Sequence, residues 1–220
     1  MKRCIAIAKK DLTAEFRTKQ MLSSMIMFAF LILLIFSFSF VGLRGSHDRI
    51  TELAPGMLWI TFMFAGMLGL SGSFALEQEE NCIEGLKLCP VDRSVIYVGK
   101  LLSNLVLMLI MEAISILIFM VIFSYNIPNT LLLSIVVLLG TIGFLAVGTL
   151  LSALTLNAQT RDILLYVILF PVLFPLILVL VPATANVLTY TSVVPEIRLL
   201  CVYDIVFFLI SMVVFEYAIE

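Results

Sequence analysis

An all-α integral membrane protein with six transmembrane helices is the fold class this sequence predicts, and three observations predict it. The 220 residues are 62% hydrophobic and only 13% charged, against about 25% charged in soluble domains. Six apolar stretches, each long enough to cross a hydrocarbon layer of about 30 Å, nearly exhaust the chain. Ten of the thirteen Lys and Arg residues fall in segments that six crossings would place on one side. One membrane domain results, with no room for a soluble one.

The first span, about 21–43, carries no charge over "MLSSMIMFAFLILLIFSFSFVGL". It is longer than the apolar region of a signal peptide and lacks an Ala-x-Ala cleavage site, so it is expected to be retained. The others follow at about 55–76, 101–125, 130–156, 163–181 and 199–218. Only "NIPN", Asn126 to Asn129, divides the third from the fourth, and its Pro and Asn supply turn chemistry. Lys2, Arg3, Lys9, Lys10, Arg17, Lys19, Lys87, Arg93, Lys100 and Arg161 lie on one side, and Arg44, Arg49 and Arg198 on the other. The positive-inside rule then predicts cytoplasmic N- and C-termini.

Residues 1–20 read as a separate cytoplasmic helix. Ile5, Ala8, Leu12 and Phe16 recur at helical spacing with basic residues between them, which suits a helix lying on the inner headgroup surface. Residues 21–220 form the membrane domain.

Enzyme chemistry has little foothold. HExxH and GxSxG are missing, and the single histidine, His47, falls in the outer loop "RGSHDRITE". Gly99-Lys100 lacks the earlier glycine and following Ser/Thr of a phosphate-binding loop, so no ATP is expected on this chain. Cys4, Cys82, Cys89 and Cys201 form no CxxC pair, and no metal site or disulfide is expected. A net charge of −2, clustered at membrane edges, gives no ground for a nucleic-acid partner.

Intramembrane charge is costly and often functional. Glu112 falls near the middle of the third span, either facing a cavity or bonded to a neighbouring helix. Asp204 is expected about one turn into the sixth, within reach of interfacial water. Gly66, Gly69 and Gly72, with Gly140, Gly143 and Gly148, predict close helix contacts. Pro171 and Pro175 predict a kink that frees carbonyls in the fifth span.

The loop from Leu76 to Lys100 is the most informative segment. Read as a helix over 79–89, it places Cys82, Ile83, Leu86 and Cys89 on one stripe and Glu80, Glu84 and Lys87 on another, with Pro90 beyond its end. An amphipathic helix held off two spans needs either the membrane surface or a protein partner, and its acidic start favours the partner over anionic lipid. Glu79, Glu80, Gly85, Leu86, Pro90, Arg93, Gly99 and Lys100 resemble the coupling loop of type 2 ABC-transporter membrane subunits, which in that family docks on the ATPase. "LAPGMLWITFMFAGMLGL", with Ala54, Pro55, Gly56 and Trp59, is similar to the start of span two in the heme exporter protein B (CcmB) family of cytochrome c maturation. "CIEGLKLCPVD" and "FPVLFP" strengthen that resemblance. Many members carry Asp-Gly-Ser-Leu-Glu where this sequence has Glu80 to Glu84.

The resemblance implies a permease-like subunit, in two copies, working with a CcmA-like ATPase, CcmC-like and CcmD-like membrane proteins and a CcmE-like heme chaperone. Heme would be the cargo of the complex and ATP would bind the partner. No Cys or His pair stands in the membrane to ligate heme iron here. A type 2 ABC exporter of a lipid, glycan or drug, and a non-transporting scaffold, are the alternatives.

Overall fold

The computed structural model describes residues 2–40, 47–73, 93–155 and 161–218. They form seven helices: α1 (Lys2–Thr18), α2 (Gln20–Ser39), α3 (His47–Gly72), α4 (Arg93–Phe123), α5 (Thr130–Leu154), α6 (Arg161–Leu188) and α7 (Val194–Ala218). Six of them, α2 to α7, are long and apolar enough to cross a membrane.

Burial orders the bundle. α3 and α5 are the most enclosed helices, whereas α2, α6 and α7 bury only a narrow stripe. On α2 that stripe is Met25, Ala29, Leu33 and Ser37, four residues apart. The opposite faces are greasy and unprotected: Met27, Phe38, Val121, Leu131, Val167 and Val213 are all at least 60% exposed. Water would penalise such a belt at about 25 cal/mol per Å². Hydrocarbon does not, and this is why a protein so apolar can afford so exposed a surface.

Helix ends explain most differences from the sequence reading. α4 starts at Arg93, not 101, so Gly99 and Lys100 lie inside the helix rather than at its mouth. It stops at Phe123 because Ser124 turns left-handed (φ 48°) and the Tyr125 N–H bonds back to the Met120 carbonyl. Asn129 then caps α5 by accepting the Leu132 N–H at 3.1 Å, as the turn chemistry of "NIPN" predicts.

α3 begins at His47, so Pro55 sits two turns inside the helix instead of opening it, and His47 is no loop residue. α6 runs through Pro171, Pro175 and Pro182 to Leu188. The expected 182–198 loop thus shrinks to 189–193. A proline removes one N–H from the ladder and need not end a helix whose neighbours supply packing. Near the first two prolines the Val172 carbonyl accepts the Tyr203 hydroxyl of α7 at 3.1 Å.

Candidate functional site

Polar groups collect at two levels, and the first is where α1, the end of α3 and the start of α4 meet. α1 packs chiefly on α4. Gly99 makes that approach possible, since a Cβ there would lie 2.9 Å from the Ile7 side chain and 3.2 Å from the Cys4 carbonyl. One residue on, the Lys100 side chain is only 3% exposed. Its ammonium donates to the Ser73 carbonyl at 2.8 Å and pairs with Asp11 Oδ2 at 3.2 Å. Lys10 stands 3.4 Å from the other Asp11 oxygen.

Lys100 therefore ties together three elements: α4, the turn closing α3, and α1. Ser73 and Arg93 are also the two ends from which 74–92 departs and returns. The proposed coupling residues Glu79, Glu80, Ile83, Gly85, Leu86 and Pro90 lie outside the described residues, while Arg93 is the half-buried first residue of α4.

The α1–α2 joint belongs to the same end. Lys19 takes a left-handed conformation (φ 56°) between the helices. Glu15 is buried, and its Oε1 accepts the Leu22 N–H at 2.8 Å, capping α2 from the preceding helix. Sequence periodicity had grouped Ala8 with Ile5, Leu12 and Phe16. In the structure Ala8 is buried, but Ile5 and Phe16 are 58% and 48% exposed. α1 thus has two faces, one set on α4 through Ile7 and Asp11 and one apolar and outward with Ile5 and Phe16. Asp11 and Glu15 were missed because a carboxylate in a short basic segment reads as surface charge.

The second level lies deep in the bundle. Glu112 is 1% exposed. The Thr141 hydroxyl of α5 lies 2.8 and 2.9 Å from its two oxygens and 2.7 Å from the Val137 carbonyl. One hydroxyl hydrogen serves only one of these at a time. The contact bridges α4 and α5.

Asp204 corrects the expectation of interfacial water. It follows Val194 by ten residues, about 15 Å along α7 at 1.5 Å per residue. It is 7% exposed and its carboxyl rests on Gly143 of α5, where a Cβ would lie 2.5 Å from Oδ1. Neither oxygen has a hydrogen-bond partner among the described residues. Asp204 and Glu112 flank α5 at nearly the same height, adjoining Gly143 and Thr141 respectively.

Trp59 gains a physical role. Its indole N–H donates to the Thr184 hydroxyl at 2.8 Å, joining α3 to α6, and its ring lies on Gly140 of α5. Ala54 and Pro55 are buried beside it on α3, whereas Gly56 has open space where a Cβ would stand. The Ala-Pro-Gly-x-x-Trp pattern thus marks the place where three spans meet.

These features define a multi-pass helical membrane protein whose spans are tied to α1 at one end. Its sequence pattern specifies it further. The chain belongs to the CcmB protein family, whose profile matches residues 2–220. It is also similar to Heme exporter protein B of Rhodobacter capsulatus, 26% identical over 124 residues. That match covers 56% of this chain and 57% of the relative, so the chain spans a little over half the length of the curated relative it matches.

Proposed function

We propose that this chain is the membrane subunit of an ATP-driven complex that serves heme delivery in cytochrome c biogenesis. Membership of the CcmB family across residues 2–220 carries this reading, and the name of the Rhodobacter relative supports heme as the cargo. A separate CcmA-like ATPase supplies energy, with two copies of this chain per complex. CcmC-like and CcmD-like proteins complete the assembly, which acts on a heme-loaded CcmE-like chaperone at the outer face. The side rich in Lys and Arg is cytoplasmic, which sets α1 and the 74–92 segment on the same side of the inner membrane as the ATPase.

The Lys100 knot supports a mechanical role for that segment. A push on 74–92 enters the bundle at Ser73 and Arg93, and Lys100 makes α1, α3 and α4 respond together. α3 and α5, the most enclosed helices, carry the motion outward through the Trp59–Gly140 contact. Coupling through two-state packing of this kind needs no chemistry on the chain itself.

The test is Ile83→Asp combined with Leu86→Asp in the full complex. Loss of ATPase co-purification and of cytochrome c maturation, with the chain still inserted, is the expected result. Full co-purification and maturation would remove the docking claim. Labelling of single cysteines at positions 10 and 190 from each side of the membrane checks the orientation: cytoplasmic labelling at 190 overturns it.

A further inference from the structure

We infer that the junction between α1, α2, α3 and α4 holds one glycerophospholipid, bound by its phosphate and an ester carbonyl. A cavity of about 460 Å³ lies there, within the usual range of ligand sites. Along α4 it runs from Lys100 to Leu107, seven residues or about 10 Å. Its two ends differ in chemistry. Lys10, Arg17 and Thr18 form an exposed rim, whereas Met21 and Leu107 line it further in.

Between the ends stands Asn104, 5% exposed, whose Nδ2 has no hydrogen-bond partner among the described residues. A buried amide donor without an acceptor costs about 1–3 kcal/mol, so an acceptor oxygen belongs at this place. Two carboxylates also line the cavity, and both are engaged: Asp11 with Lys100 and Lys10, and Glu15 with the α2 N-terminus. Arg17 is the rim cation that supplies five donors to a phosphate. A free inorganic anion would satisfy the rim and leave the inner apolar wall and the Asn104 amide unmet. A glycerophospholipid matches all three: phosphate at Arg17 and Lys10, ester carbonyl at Asn104, acyl chains past Met21 and Leu107. The site rests on this chain's own geometry and is independent of its cargo.

The test uses the full chain in mild detergent, delipidated and then titrated with dioleoylphosphatidylglycerol or with inorganic phosphate. Bound phospholipid is counted by mass spectrometry, and thermal stability is followed by the fluorescence of the single tryptophan, Trp59. One lipid per chain and a raised midpoint are expected with the lipid, and neither with phosphate. Arg17→Gln, an exposed substitution that leaves the fold intact, should weaken lipid binding about fivefold, and Asn104→Leu should abolish the one-to-one species. Equal stabilisation by inorganic phosphate would overturn the lipid assignment. Unchanged retention in Arg17→Gln would show annular lipid only and sink the site, even if Asn104→Leu failed to fold.

Discussion

Replacing Lys100 by Met removes one ammonium from the knot at the α1–α3–α4 junction while keeping the length of the side chain. Asp11, whose side chain is 16% exposed, then loses its 3.2 Å partner, and the Ser73 carbonyl loses its 2.8 Å donor. Breaking a buried ion pair from one side costs about 3–5 kcal/mol. Lys10, 3.4 Å from Asp11 and 58% exposed, offsets part of that, which leaves about 3 kcal/mol. Asp11→Asn removes the α1 partner of Lys100 in turn and should cost up to a similar amount. The double variant removes both members of the pair, so it should be about 1–2 kcal/mol more stable than the sum of the single losses. Reversible unfolding in mixed detergent, read by Trp59 fluorescence, measures all four corners of this cycle. A Lys100→Met loss below about 1 kcal/mol, or strict additivity of the two substitutions, would refute the argument that the pair holds the junction.

Other substitutions probe separate contacts. Gly140→Val drives a side chain into the Trp59 ring, which its bond to Thr184 holds in place; a loss of about 1–3 kcal/mol and a red-shifted Trp59 emission are expected, and unchanged emission would contradict the contact. Thr141→Val deletes the α5 side of the Glu112 bond, for a loss of about 0.5–1.7 kcal/mol, whereas Glu112→Gln retains a partner for Thr141 and should assemble normally. Glu15→Ala uncaps α2 and should cost about 0.5–2 kcal/mol. Lys19→Gly relieves the left-handed residue at the α1–α2 joint and should gain up to about 1 kcal/mol; destabilisation in the same unfolding assay would show that the Lys19 side chain itself matters more than its backbone.

Much of the architecture was legible in the residues. Apolar runs long enough to cross a bilayer core, most of them without any charge, leave no soluble alternative, so six spans follow from length and hydropathy. "NIPN" predicts the turn between the third and fourth spans, and Asn129 caps α5 there. The six glycines read as packing positions do meet neighbouring helices closely: Gly148, for one, lies against Leu70. Span limits were less legible. Pro55 and Pro182 look like boundaries in one dimension, yet a helix whose other backbone groups remain paired continues through them.

Composition and periodicity thus determined that this protein lies in a membrane, how many times it crosses, and where its helices touch. Tertiary structure alone decided what its charged residues do. Hydropathy assigns every lysine and aspartate the same cost and reads both as ends of spans. Whether such a charge can be buried depends on a partner that can be remote in sequence. Lys100 is buried because Ser73 and Asp11, from two other elements, come to it. Asp204 lies deep because Gly143 leaves room for its carboxyl. Those partnerships arise only when the helices pack, which is why the crossings could be counted from the chain and the junction that joins them could not.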